Sequence, residues 1–356
     1  MTTHTSSRFI VLATCLGAAL FLAPNLRADL IRPKVLILTT FEIGADTGDM
    51  PGELQYWVER ENLTGTLDVP GIAHPVRFND SGVFAMVTGT CNRSGLAVML
   101  VGTDPRFDLS QTYFMMAGIA GVDADRASVG SAAWAQWVVD GDNVNEIDLH
   151  DAPPDWPYAI FPYGATRPDE APGLHDWSQK PMAFQLDPGL VAWAFRKSKD
   201  VALSDTPELR RYRALYVGHP EAQRPPFVLL GDTLGTARYW HGPTLTRWAE
   251  HWCALYTAGK ARFVMTECED QSIAYALHML GNAHRVDPRR YLVLRTASNY
   301  SEPPPAKSVV ASLLSGEESG TALAVESAYR VGSPVVHALV QHWDLYQGTL
   351  PGADSP

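Results

Sequence analysis

Three carboxylates fall within four positions in Glu267-Cys268-Glu269-Asp270, between a short branched run and a helical stretch. Like charges this close repel, and one acid suffices to cap a helix N-terminus. A carboxylate accepting two sugar hydroxyls accounts for the excess, so Glu267 and Glu269 are candidate sugar ligands, with capping as the competing use. Glu42 stands two residues past the apolar run Lys34–Thr40. An acid there can receive a proton, position a water or cap the next segment. Gly118 and Gly121 lie three apart in Met116–Gly121. That spacing reads as a tight turn that a ligand can approach closely, or as packing alone. Asn299 follows another apolar run. Its amide offers both donor and acceptor, as needed to read a base edge, although Asn also favours turns for backbone reasons.

All four places follow strand-like runs, where α/β proteins bind ligands. Lys34–Thr40, Val83–Thr88, Thr112–Ala117, Ser128–Val139, Phe227–Leu230, Arg262–Thr266 and Tyr291–Thr296 read as buried strands. Helical periodicity fits Ser94–Leu100, Leu186–Lys199, Leu245–Thr257, Gln271–Leu280 and Val335–Tyr346. The alternation predicts an α/β layer architecture with a mostly parallel or mixed sheet. Residues 151–188 carry eight prolines among several aromatics. This segment reads as an irregular excursion that either caps a site or decorates the surface.

Arg8, the apolar run Phe9–Leu22, Pro24 and the small Ala28 have the order of a secretory signal peptide. The run is shorter than the ~18–20 apolar residues that span a bilayer. The expected organisation is therefore a signal at 1–28 and one mature domain at 29–356, working in the periplasm or outside the cell. No later window holds ~18 uninterrupted apolar residues. The net charge of −11 disfavours nucleic-acid and anionic-membrane partners. Cys91, Cys253 and Cys268 remain after Cys15 leaves, an odd number without a CxxC partner. No bound metal is expected.

Taken together, these motifs resemble the nucleoside phosphorylase and nucleosidase superfamily. Glu267-Cys268-Glu269 resembles its Glu-Met-Glu ribose motif, with Cys for Met. Gly231-Asp232 is similar to its Ser-Gly-Asp segment, and Ser298-Asn299 stands at its Ser-Asp turn. From Lys34 to Gln347 the chain more closely resembles the purine nucleoside permeases. The shared marks are Thr39–Glu42, Thr88–Asn92, the Ala117–Gly121 stretch, Ser131–Trp134 and Thr266–Gln271.

The resemblance implies a three-layer phosphorylase-like fold, with a central mixed, partly barrel-like sheet flanked by helices. It implies purine nucleoside recognition and N-glycosidic bond cleavage, or binding alone in support of nucleoside transport. Glu42 would orient water, Glu269 and Glu267 would hold the ribose, and Asn299 and Asp232 would bind the departing purine. Gly118 and Thr90 would line the site, and Trp240 or Tyr239 would stack on the base. Asn299 cannot act as a general acid. Met116 and Ile119 stand where hexameric phosphorylases place Arg and Ser, leaving Arg93 to reach any phosphate co-substrate. No other cofactor is expected. The remaining partners implied are a membrane transporter and further copies of the chain.

Overall fold

The computed structural model describes residues 29–172, 181–315 and 320–356. The expected signal peptide lies outside the described residues. The first strands are β1 (Val35–Thr39), β2 (Gly65–Leu67), β3 (Val76–Phe78), β4 (Val83–Val87) and β5 (Tyr113–Val122). Next come β6 (Ala132–Trp134), β7 (Trp137–Asp140), β8 (Asn145–Glu146), β9 (Ile160–Phe161) and β10 (Ala183–Gln185). The last are β11 (Val228–Leu230), β12 (Asp232–Gly235), β13 (Phe263–Glu267) and β14 (Tyr291–Tyr300). Helices α1 (Gln55–Arg60), α2 (Arg93–Thr103), α3 (Pro188–Ser198), α4 (Pro207–Arg213) and α5 (Pro220–Gln223) precede α6 (Pro243–Thr257). They are followed by α7 (Asp270–Asn282), α8 (Val309–Leu314), α9 (Thr321–Gln341) and α10 (Trp343–Tyr346).

β1 and β4 are buried at every position and pair in parallel, as continuous apolar runs require. β5 pairs in parallel with β1 on one side and β14 on the other. At Gly121 and Val122 it leaves β1 and pairs antiparallel with β13. From β13 the sheet continues through β12 to β7, while β14 pairs with β6. Because β6 and β7 adjoin in sequence, these strands curve into a partly closed barrel. The mixed, partly barrel-like sheet flanked by helices is therefore the observed architecture. Helices α2 and α7 pack together on it, and α9 crosses β14 and β5.

Several boundaries differ from the sequence reading. Gly118 and Gly121 lie inside β5 rather than in a turn, because β5 runs on past Ala117. Ser128–Val139 divides into β6 and β7. Helix α9 begins well before Val335 and passes through Pro334. Its buried face, with Val331, Gly332, Val335 and Val336, holds it continuous where proline normally marks a boundary. A Cβ at Gly332 would come within 2.9 Å of the Trp57 ring, so glycine lets α9 approach α1. The described parts of the proline-rich segment pack down: Tyr158 and Ile160 join the cluster of Trp240, Trp248 and Trp252, and β10 pairs antiparallel with β7.

Candidate active site

The carboxyl ends of β1, β4, β5, β13 and β14 meet at one place, centred on the fully buried Arg295 of β14. Its register partner on β5 is Gly118. Arg295 Nη2 donates to Asp270 Oδ1 at 2.6 Å, Glu269 Oε2 at 2.9 Å and Glu267 Oε2 at 3.3 Å. Its Nη1 donates to the Ile119 carbonyl at 2.9 Å. One cation thus faces three acids that the β13–α7 turn brings together. Glu267 Oε2 also accepts from the Glu269 and Asp270 amides at 2.5 and 2.7 Å, which caps α7. Burial, Asp270 and Glu269 push the Glu267 carboxyl well above its usual range against the pull of Arg295.

A fourth acid joins them from a position the sequence reading missed. Glu53, just before α1, is fully buried and points between β1 and β5. Its Oε2 accepts from the Thr40 amide at 2.6 Å and hydroxyl at 2.8 Å, and its Oε1 accepts from the Ile119 amide at 2.7 Å. Burial raises its pKa to about 7; Arg295 and the two amides oppose that rise, and Glu269 adds to it. A group poised there can exchange a proton near neutral pH. In sequence, Glu53 reads as an ordinary acid before a short helix. A lone Arg inside the apolar run Tyr291–Ala297 was the legible sign that this strand meets buried carboxylates.

Glu42, the sequence candidate for orienting water, is used otherwise. Its carboxylate accepts from the Gly52 and Ile43 amides, and from those of Leu54 at 2.9 Å and Gln55 at 2.7 Å. It caps α1 and thereby fixes the segment that presents Glu53.

Asp232, the acid expected at the purine, is also engaged by backbone amides. Its oxygens accept from the amides of Gln136, Trp137 and Arg262 at 2.9, 2.8 and 2.6 Å. It pins the amino ends of β12 and β13, whereas the site lies at their carboxyl ends near Gly235 and Glu267. Trp240 is also not a stacking surface: it is buried against Trp248 and Phe263.

The remaining candidates converge. Glu269 is buried, with Oε1 accepting from the Cys91 amide at 3.2 Å and Oε2 from the Cys268 amide at 3.3 Å. Gly118 permits the approach of Arg295 and Glu53, since a Cβ there would meet Arg295 Nη1 at 2.7 Å and Glu53 Oε1 at 2.9 Å. Asn299 follows a register shift in β14, faces Gly121 and Thr266, and lies beyond the acid cluster. Its Nδ2 donates to the Tyr300 carbonyl at 3.0 Å and to the Tyr239 hydroxyl at 3.3 Å. Tyr239 is 62 % exposed and is the aromatic from the Thr236–His241 loop that reaches the site. Asp142 anchors that loop by accepting from the Ala237 amide at 2.9 Å and from Gln271 Nε2 at 3.2 Å. Thr90 and Arg93 are exposed on either side of Cys91. Among the described residues Arg93 forms no ion pair.

The same topology occurs in solved nucleosidases. A 5'-methylthioadenosine/S-adenosylhomocysteine nucleosidase from Colwellia psychrerythraea, in complex with adenine, superposes with a TM-score of 0.52 at 16 % identity. The match covers 87 % of this chain and 96 % of that one. The corresponding nucleosidase from Neisseria meningitidis, bound to methylthio-immucillin-A, gives 0.51 at 13 % identity over 87 % and 100 %. Futalosine hydrolase of Helicobacter pylori gives 0.51 at 10 % identity over 86 % and 98 %. The chain therefore has the phosphorylase-like fold of nucleosidases.

Its family is narrower. The sequence model of the purine nucleoside permeases (NUP) matches residues 32–351, and the chain belongs to that family. A probable purine nucleoside permease from Schizosaccharomyces pombe is 26 % identical over 332 residues, which is 90 % of this chain and 92 % of that protein. A purine nucleoside permease from Candida albicans is 25 % identical over 323 residues, or 88 % and 76 %. No helix among the described residues is long and apolar enough to cross a membrane.

Proposed function

We propose that this protein binds purine nucleosides and hydrolyses their N-glycosidic bond. The observation that supports this most strongly is Glu53, a buried carboxyl with a pKa of about 7 beside the Arg295 cluster. Glu269 holds the ribose hydroxyls while Arg295 limits its repulsion from the other acids. Glu53 accepts a proton from water as the water oxygen bonds to the anomeric carbon. The C–N bond breaks, its electron pair passes to the purine, and Asn299 Nδ2 hydrogen-bonds the base as charge builds there. The base takes its balancing proton from solvent, since an amide has none to give. Tyr239 covers the base. One such transition-state contact is typically worth ~10²–10³ in rate.

Met116 and Ile119 offer no charge to a phosphate, which favours water as nucleophile and leaves Arg93 as the phosphate contact if phosphorolysis occurs. The amide at Asn299 also favours a second reading, a nucleoside-binding protein that supplies a membrane transporter without cleaving its ligand. Product analysis with inosine, guanosine and adenosine, with and without phosphate, separates these. Free base in both conditions is expected. Base only with phosphate points to phosphorolysis, and intact nucleoside with measurable binding points to the carrier.

The charged, apolar and small residues of positions 8–28 support work outside the cytoplasm. N-terminal sequencing of the exported protein is expected to begin at Asp29. Association with further copies of the chain is read by sedimentation of the same material.

A further inference from the structure

We propose that Cys91, Cys268 and Glu269 form a binding site for a thiophilic divalent cation such as zinc. A ligand atom from each, the two Sγ atoms and a carboxylate oxygen, all lie within 4.8 Å of one another. Tetrahedral zinc with thiolate and carboxylate ligands at ~2.0–2.3 Å needs donors roughly 3.3–3.8 Å apart. A small inward movement of the thiols meets that requirement.

The three groups come from two distant parts of the chain, Cys91 from one and the adjacent Cys268 and Glu269 from the other, and are tied together. Cys91 lies in the loop after β4 with a left-handed φ of 57°, and Cys268 lies in the β13–α7 turn. Their amides both donate to Glu269, one to each oxygen. Ser272 Oγ donates to the Cys91 carbonyl at 3.3 Å and to the Glu269 carbonyl at 2.8 Å. Both cysteines are only partly buried, so an ion has an entry path and an open coordination position for water. Glu269 and Asp270 together outnumber Arg295, which makes the local field attractive to a cation. Binding forms two metal–sulfur bonds and one metal–oxygen bond, releasing the thiol protons to solvent.

The ion would occupy the carboxylate assigned to the sugar, so it competes with nucleoside; this consequence alone rests on the proposed function. The test titrates cobalt(II), then zinc, into the purified, reduced protein. Expected are one ion per chain, a thiolate-to-cobalt charge-transfer absorption, and displacement of cobalt by zinc. Cys91→Ser and Cys268→Met should each reduce the absorption and weaken zinc binding at least ~10-fold, and the double variant, which leaves no thiolate at the site, should abolish the absorption. Cys253→Ala, in the core of α6, should change neither. A wild-type protein without the absorption, or a double variant that keeps it, overturns the site. Thermal unfolding of each variant shows that it is folded. Inosine affinity with and without zinc is read separately: zinc bound through both thiols with unchanged inosine affinity retains the metal site and removes Glu269 from the sugar.

Discussion

Glu53 and Arg295 approach each other across Gly118 of β5, where a side chain would stand between them. A Cβ there would lie 2.9 Å from the carboxylate and 2.7 Å from the guanidinium. Gly118→Ala is expected to displace one of the two buried groups, lower the unfolding midpoint and reduce turnover by at least ~10-fold, as small misplacements of catalytic groups do. Thermal unfolding and steady-state kinetics on the same sample read both effects. Wild-type turnover in this variant would show that the pair is not part of the machinery.

Glu53 must lose its proton to receive one from water, so turnover should rise with pH through about 7 and then level off. Glu53→Gln should remove that limb and lower turnover by ~10²–10³. Stability runs the other way. The folded pKa is raised above 4.5, so the folded state holds its proton more tightly than the unfolded chain. Between about pH 4.5 and 7, stability attributable to Glu53 therefore falls as pH rises, with no further change above that window. Denaturant titrations of wild type and Glu53→Gln across this range measure the difference. Arg295, Glu269 and the other acids share the cluster, so the observed midpoint belongs to the group as a whole.

Glu269→Ala is expected to cost ~10²–10³ in turnover through loss of the ribose contact. A 2'-deoxynucleoside offers one hydroxyl fewer, so the variant should discriminate less than wild type between inosine and 2'-deoxyinosine. Comparing kcat/KM for the two substrates in both proteins isolates the sugar contact from general damage.

The amide of Asn299 donates through Nδ2, which suits the oxygen of a 6-oxopurine. Asn299→Asp replaces that donor with an acceptor and should move the ratio of inosine to adenosine kcat/KM toward adenosine by at least ~10-fold, the scale of one reversed hydrogen bond. An unchanged ratio would detach Asn299 from the base.

Glu42 and Asp232 separate structural from chemical acids. Asp232→Asn leaves backbone amides around a poorer acceptor and should lower stability by about 1–3 kcal/mol. Its kcat and KM should stay near wild type, because its contacts lie at the opposite end of β12 from the site. Chemical denaturation and kinetics of this variant check both halves of the statement.

The chain states its architecture more openly than its chemistry. Val35–Leu38 and Val83–Val87 are apolar at every position, the composition of a strand covered on both faces. Glu269 was legible because it closely follows such a strand, and Asn299 because it follows the apolar run Tyr291–Thr296, although β14 continues through it to Tyr300. Glu53 was not, since it reaches the site from the start of α1 after a chain reversal that Glu42 holds in place. Both acids follow β1 in sequence; burial between two strands distinguishes them, and burial depends on tertiary packing. Trp240 and Tyr239 show the same limit: adjacent aromatics point to opposite sides, one into the tryptophan cluster and one over Asn299. Cys91 and Cys268 become neighbours only when α2 packs on α7.

Hydrolysis by water in this site is tested most directly by incubating the protein with inosine in phosphate-free, ¹⁸O-enriched water. Free hypoxanthine and ribose labelled at the anomeric oxygen are expected when the product is analysed promptly, with Glu53→Gln nearly inactive. Because free ribose exchanges that oxygen with solvent, the product is trapped immediately and unlabelled ribose incubated alongside corrects for exchange. Inosine recovered intact, alongside a stable binding isotherm, would contradict hydrolysis and leave a nucleoside-binding protein.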